Sequence, residues 1–342
     1  MRRLISDTVA DAVGDVIRRL RWPVMSTLSR LARRLAPAGG LIAGYVLDRM
    51  FGDPERWHPV AGFGRAAGRL EQRLYADDRR AGVLFTAVSV AAPIAAGVAL
   101  ERATRRVPLV TGVLTAAATW AVLGGRSLTQ EACAVADHLG AEDLPAARHQ
   151  VGRLVGRETA ELDESEVARA AVESVAENSS DAVVAPLLWG AVAGLPGLLG
   201  YRAINTLDAM VGHRSPRYER FGWASARLDD LVNWIPARVS AGLATLGAPW
   251  ISGSPKEAAA VVRRDASAHP SPNAGVVEAA FAGALGIRLG GRNVYEGAVS
   301  DRGTLGDGRP PVGGDIARTT RLATMVGDAA LVVAVLIRLA RA

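Results

Sequence analysis

The sequence has one cysteine, Cys133, and one lysine, Lys256. A lone cysteine excludes an intramolecular disulfide and any cysteine-rich metal centre. A lone lysine, in Ser254-Pro255-Lys256, excludes a Walker A phosphate loop. There is no Gly-x-Ser-x-Gly elbow, and no His/Cys cluster has zinc spacing. Gly62-Phe-Gly64-Arg-Ala-Ala-Gly68 misses the dinucleotide fingerprint by one residue and follows no strand. The net charge of +6 is carried almost wholly by arginine. No RNA- or DNA-binding module accompanies it, so nucleic acid is not an expected partner. Arginines beside apolar runs act instead as topology signals and attract anionic lipid headgroups.

What the chain does have is long apolar runs. Ala81 to Leu100, Val107 to Gly125 and Val183 to Tyr201 carry no charge, Val232 to Ile251 carries Arg238 alone, and Leu322 to Leu336 carries Asp328 alone. Runs of about 18 to 20 apolar residues match the hydrocarbon thickness a helix must cross. An Ala-rich soluble bundle would share the composition, but five such runs do not suit buried core helices. The expected fold is an all-α, polytopic integral membrane protein with about five spans and amphipathic cytoplasmic helices, Leu144 to Val155 and Glu164 to Ala176 among them. Glu101 to Arg106 is short enough to force a helical hairpin. Gly194-Leu195-Pro196-Gly197 interrupts the third run.

Residues 1–35 read as a basic amphipathic extension without the apolar core of a secretory signal, and 36–342 as one membrane domain. Arg65, Arg69, Arg73, Arg79, Arg80, Arg126, Arg148, Arg153, Arg157 and Arg169 outnumber Arg102, Arg105 and Arg106 in the hairpin loop. The larger set should face the cytoplasm, leaving the hairpin loop outside against its own charge. The expected location is the bacterial inner membrane, with the active site on the cytoplasmic side.

The most telling polar stretch is Glu173-Ser-Val-Ala-Glu177-Asn178-Ser-Ser-Asp181. Spacings of four and eight residues put the three carboxylates within about 80° on one helix face. Like charges in such a ladder repel, so stability alone does not explain them. A Mg²⁺ ion would make the arrangement favourable, because Mg²⁺ takes a few carboxylates plus water and substrate phosphate. Asn205 and Asp208 share a second face, and Asp229, Asp230 and Asn233 repeat the acid-plus-amide pattern at the next apolar run. Charged groups at such positions are costly unless paired or lining a polar cavity. Arg202, Arg214, Arg227 and Arg238 suit phosphate or carboxylate, or serve as interfacial anchors. Asp48, Asp53-Pro54 and His58-Pro59 form a further polar cluster. His58 and His269 are each a proton shuttle or a loop residue.

These residues carry a family resemblance. Leu47-Asp48 through Gly52-Asp53-Pro54 to His58-Pro59-Val60 resembles the N-terminal signature of the CobD/CbiB family, and Glu173 through Asp181 to Pro186 resembles its central signature. The likeness continues through Tyr201-Arg202-Ala-Ile-Asn205-Thr-Leu-Asp208 to Gly212, then Phe221 to Asp230 with Arg227. It ends in Ile235-Pro236-Ala-Arg238, Ser271-Pro272-Asn273-Ala-Gly275 and Ala282 to Gly286. Ala182 stands where the family pattern expects glycine and His213 where an aromatic is usual, and neither change removes an acid. The resemblance implies a cobalamin-biosynthesis ligase. It would join (R)-1-amino-2-propanol, or its phosphate, to the f-ring propionate of adenosylcobyric acid with ATP.

On that reading Glu173, Glu177 and Asp181, with Asp208, Asp229 and Asp230, hold Mg²⁺ against nucleotide phosphates, while Arg202, Arg227 and Arg238 neutralise the transferring group. A carboxylate or His58 takes the ammonium proton. Asp48, Asp53, Asn178, Asn205 and Asn273 complete the substrate-binding set. The corrinoid is substrate, and later cobalamin-pathway membrane enzymes are expected neighbours. Two other readings use the same acids: a Mg²⁺-dependent membrane transferase acting on a diphosphate substrate, and a non-catalytic scaffold for those later enzymes.

Overall fold

The computed structural model describes residues 31–53, 58–213, 215–295 and 298–341. The basic segment 1–30, Pro54 and Arg214 lie outside the described residues. Helix α1 (31–51) is followed by α2 (Pro59–Leu74), α3 (Arg79–Thr104), α4 (Pro108–Val122), α5 (Gly125–Gly140) and α6 (Leu144–Val151). Next come α7 (Glu164–Ser179), α8 (Ala185–Leu207), α9 (Trp223–Val232), α10 (Trp234–Gly247), α11 (Pro255–Asp265) and α12 (Ala274–Leu285). A short antiparallel hairpin, β1 (Leu289–Tyr295) and β2 (Ala298–Leu305), precedes the long final helix α13 (Gly313–Ala340). The fold is the expected all-α membrane architecture, with the β-hairpin as an unanticipated addition.

Among the described residues four helical segments are long and apolar enough to cross a membrane: Arg79–Thr104, Pro108–Gly140, Glu164–Gly212 and Gly313–Ala340. At 1.5 Å per residue α3 is about 39 Å long, more than a bilayer's apolar thickness. Protein covers 28% of the apolar window in each of the first two segments and 33% in the last. Val83, Leu84 and Val88 of α3, Leu109 and Val113 of α4, and Val332 and Leu336 of α13 are exposed. Apolar surface on that scale needs lipid.

The segment Glu164–Gly212 differs, because 72% of its apolar window is covered by protein. It is also not one rod. Gly194 adopts φ 65° and ψ −143°, a conformation essentially confined to glycine, and the chain turns back on itself there. A Cβ at Gly197 would fall 2.1 Å from the carbonyl oxygen of Trp189, so the two arms touch at backbone distance. The Tyr201 hydroxyl lies 3.0 Å from the carbonyl oxygen of Asp181, twenty positions earlier. The run Val183 to Tyr201 is therefore a re-entrant hairpin, entering and leaving at one level. Such a path is tolerated at membrane depth where protein encloses it.

The hairpin tip is fixed from outside. Glu101, near the end of α3, accepts the backbone N–H of Leu195 at 3.0 Å, satisfying a donor that the turn leaves unpaired. Beneath the hairpin runs α7, started by a capping box in which Asp163 and Glu166 exchange bonds with each other's backbone N–H. Val167, Ala168, Ala170, Ala171, Val172, Val175 and Ala176 are all buried on it, because small side chains let α5, α12 and α13 pack closely around it.

The fifth expected span, Val232 to Ile251, is corrected. It holds α10 of 14 residues and a 3-10 turn, Ala248–Ile251. About 21 Å of helix does not cross a 30 Å hydrocarbon layer. Its start is pinned by buried Asn233, which donates to Asp229 Oδ2 at 2.9 Å.

Candidate functional site

Both ends of the re-entrant hairpin leave the α-helical path as π-helical turns, Ser180–Val184 and Asp208–Gly212. Such turns insert an extra residue into a helix and occur preferentially at functional positions. Each carries a carboxylate of the expected set in its first turn, Asp181 and Asp208. The hairpin's return brings these two acids together although 27 positions separate them in sequence.

Around them an amide and hydroxyl network closes. Asn205 Nδ2 lies 3.5 Å from Asp181 Oδ2. Tyr201 stands 2.9 Å from Asn233 Oδ1, which couples it to Asp229 through the same amide. Asp229 Oδ1 is buried and meets no partner. Burial, with Asp208 close by, pushes the Asp229 carboxyl up to about 7. Arg202 reaches Asn205 Oδ1 at 3.4 Å, and its Nε is buried without a partner. Asp229 and Arg202 thus each keep a buried polar atom without a hydrogen-bond partner, a feature that calls for a ligand.

A second cluster of buried polar groups adjoins the first along α7. Glu173 is buried there, its Oε2 paired with Arg157 Nη1 at 2.8 Å and its Oε1 accepting the N–H of Gly290 at 2.8 Å. Glu278, on α12, is fully buried, and neither carboxylate oxygen has a hydrogen-bond partner. His269 Nε2 stands 3.8 Å from it and Arg302 Nη1, on β2, 4.0 Å. Burial raises the Glu278 carboxyl well above its usual range, with the charges of Glu173 and Glu177 adding to it. Desolvation and Arg302 hold His269 below its ordinary value. The β-hairpin thus closes this cluster with a cation. Glu278 was missed in sequence, although a single acid inside the apolar run Ala274 to Leu285 was a usable signal.

The ladder divides accordingly. Glu173 is committed to Arg157 and Gly290, whereas Glu177, Asn178 and Asp181 are half-buried. Asn178 donates to the Ser174 carbonyl at 2.9 Å, folded against its own helix. Among the described residues no group of three or more His, Cys, Asp or Glu is placed to hold a metal ion. Glu173, Glu177 and Asp181 therefore do not form the three-carboxylate Mg²⁺ site their spacing suggested, because an arginine already neutralises the first of them.

The N-terminal acids sit behind the first cluster. The Gly124 N–H donates to the Ala182 carbonyl at 3.3 Å, joining the start of α5 to the first π-turn. Asp48 faces that junction, buried, with neither carboxylate oxygen hydrogen-bonded. Asp53 Oδ1 and His58 Nε2 lie 3.8 Å apart, and His58 Nδ1 accepts the Val60 N–H at 3.2 Å, capping α2. Two expected anion ligands do other work. Arg238 donates to Asn273 Oδ1 at 2.9 Å and stacks 4.4 Å over Trp234, while Asn273 donates to the Asp230 carbonyl at 2.8 Å. Arg227 is mostly exposed, 3.6 Å from Asp230. These pairs tie α9, α10 and α12 together.

Comparison with known proteins agrees with this arrangement of motifs. The CobD/Cbib protein family matches residues 41–323, the interval that holds both clusters. A Cobalamin biosynthesis protein CobD of Mycobacterium tuberculosis (strain CDC 1551 / Oshkosh) is 52% identical over 300 residues, 88% of this chain and 95% of its own length. The protein of that name from Geobacter metallireducens is 47% identical over 286 residues, covering 81% and 89%. That of Rhodobacter capsulatus is 46% identical over 274 residues, covering 76% and 83%. No solved structure matches the chain. The chain belongs to the CobD/Cbib protein family.

Proposed function

We propose that this protein is a membrane enzyme of cobalamin biosynthesis that joins (R)-1-amino-2-propanol, or its phosphate, to the f-ring propionate of adenosylcobyric acid. The product is adenosylcobinamide or its phosphate. The observation that carries the reading is the pair of polar clusters at and beside the base of the re-entrant hairpin, where Asp229, Arg202 and Glu278 keep buried atoms without a hydrogen-bond partner. Family membership and the relatives' printed names supply the pathway.

Amide formation from a carboxylate in water is uphill, so the propionate must be activated. In this reading a propionate oxygen attacks the γ-phosphorus of ATP and ADP leaves, giving an acyl phosphate. The amine nitrogen then attacks the acyl carbon and inorganic phosphate leaves. The ammonium must first lose a proton, because only the neutral amine has a lone pair to attack with. Arg202 is placed to neutralise charge on the transferring phosphoryl group. Glu177 and Asp181, half-buried, attract the ammonium, and an ionised carboxylate among them accepts its proton. Mg²⁺, when bound, would screen the nucleotide phosphates. The residues present do not make a resident cage for it, so it enters this reading only as the nucleotide's counter-ion. The clusters are assigned to the cytoplasmic side of the bacterial inner membrane, where ATP is available.

The test is purified protein in lipid nanodiscs with adenosylcobyric acid, ATP and either amine. The expected result is the mass of the amide and one ADP per product. Product formed without nucleotide consumption would remove the acyl-phosphate step. No product with either amine would remove the assignment.

A further inference from the structure

At the opposite end of the hairpin from the acids lies a cavity of about 550 Å³ lined by Arg33, Arg105, Arg106 and Arg338, with Glu101, Pro108 and Thr111. It is formed where α1, the α3–α4 loop and the end of α13 meet. Glu101 locates it, since the same carboxylate lines the cavity and holds the hairpin tip at Leu195.

The charge in this cavity is not balanced from within. Among the described residues Glu101 is the acid that lines it, and one of its oxygens is occupied by the Leu195 N–H. Among the described residues, none of the four arginines has a carboxylate within ion-pair distance, and Arg338 Nε is buried with no hydrogen-bond partner. Thr111 Oγ1 is turned to the Thr104 carbonyl at 3.0 Å. Four guanidiniums lining one cavity without a counter-charge repel one another. Single arginines at a membrane surface are ordinary anchors; a set lining one cavity with a buried unmet donor is a receptor for an anion.

The surroundings indicate which anion. Leu109 and Val113 of α4 and Leu336 and Leu339 of α13 are exposed beside the cavity, 78%, 58%, 61% and 41% respectively. These are helices whose apolar faces require lipid. A phosphate seated among the arginines therefore has apolar helix surface running away from it toward the membrane interior. Charge counting also places this loop, with Arg102, Arg105 and Arg106, on the side where arginines are disfavoured. A bound anion removes that conflict.

We propose that this cavity binds the phosphate headgroup of an anionic membrane phospholipid, with its acyl chains lying along α4 and α13. The guanidiniums hold the phosphate oxygens, and the lipid ties together the ends of α1, α3, α4 and α13. Through Glu101 it also buttresses the hairpin tip, on the face away from the acidic clusters.

The test compares nanodiscs of pure phosphatidylcholine, phosphatidylcholine with phosphatidylglycerol, and phosphatidylcholine with added inorganic phosphate. Thermal unfolding and native mass spectrometry of the released protein are read for each. Wild type should unfold at higher temperature with phosphatidylglycerol and retain that lipid about tenfold over phosphatidylcholine. Arg105→Gln/Arg106→Gln/Arg338→Gln should lose both effects, and Arg65→Gln/Arg69→Gln, elsewhere on the surface, should keep them. Equal behaviour in the two lipid mixtures, or a response that survives the triple substitution, would overturn the proposal. An equal shift with inorganic phosphate would overturn the lipid assignment. If the triple variant does not fold, selective lipid retention by wild type decides alone.

Discussion

Arg157 and Glu173 form a buried ion pair, 2.8 Å between Nη1 and Oε2, with both side chains almost wholly removed from solvent. The second oxygen of Glu173 accepts the Gly290 N–H, so this acid binds the start of the β-hairpin to α7. It is structural first. Breaking a buried pair by removing one partner leaves the other charge uncompensated, at a cost of about 3–5 kcal/mol. Arg157→Ala should therefore lower the unfolding temperature sharply in detergent. Glu173→Gln keeps an acceptor for Gly290 and should destabilise less. Thermal melts of the two variants check the order, and equal melts would show that the pair does not hold the hairpin.

The next two acids along the chain, Glu177 on α7 and Asp181 in the π-turn after it, should behave in the opposite way. Glu177 and Asp181 are half-buried and have no arginine partner at ion-pair distance among the described residues. Glu177→Gln and Asp181→Asn should leave folding within about 1 kcal/mol of wild type while reducing amide formation by about 10²-fold or more. The measurement is product formation alongside a melt of the same preparation. Full activity in either variant would remove that acid from the site.

How much of this was legible in sequence depends on which property each residue expresses. The apolar runs in α3, α4 and α13 were readable because lipid exposure is a property of composition and length. Val183 to Tyr201 looked the same by composition, yet hydropathy does not record the path of a chain. The interruption at Gly194-Leu195-Pro196-Gly197 was visible, but its left-handed φ and the resulting reversal are backbone facts. Without that reversal there is no reason for Asp181 to meet Asn205 and Tyr201. Glu173 and Glu177 lie on α7 and Asp181 in the π-turn that follows it, but the arginine that takes Glu173 lies in a loop whose path the ladder spacing does not reveal. Glu278 stood out as a single acid in an apolar run, but nothing in the sequence tied it to the acids of α7. Arg302 was hidden because a two-stranded hairpin after a run of helices leaves no strong pattern.

Gly194 should be the least replaceable residue of the hairpin. Its φ of 65° with ψ of −143° is unfavourable for any side chain, and a Cβ there would fall 1.9 Å from Glu101 Oε1. Gly194→Ala should prevent correct insertion or lower the yield of folded protein severely. Glu101→Gln preserves an acceptor for Leu195 and should cost about 1 kcal/mol. Size-exclusion profiles after membrane extraction separate the two. A well-folded Gly194→Ala variant would mean that the arms need not reverse at that residue.

Asp229 gives the clearest dependence on pH. Its carboxyl is pushed up to about 7, first by burial and then by the charge of Asp208. An unfolded aspartate titrates near 3.9. Between those two values the folded protein holds a proton that the unfolded chain has released. Stability contributed by this group is therefore complete below about pH 4, falls as pH rises toward 7, and is flat above. Thermal unfolding of wild type should decline across that window, and Asp229→Asn, which cannot ionise, should lose part of the slope. Binding of a cationic ligand runs the other way, strengthening through pH 7 as the carboxylate forms, so amide formation by wild type should rise over the same range. An unchanged slope in Asp229→Asn would show that this carboxyl titrates near its ordinary value, and would remove it as the source of the pH dependence.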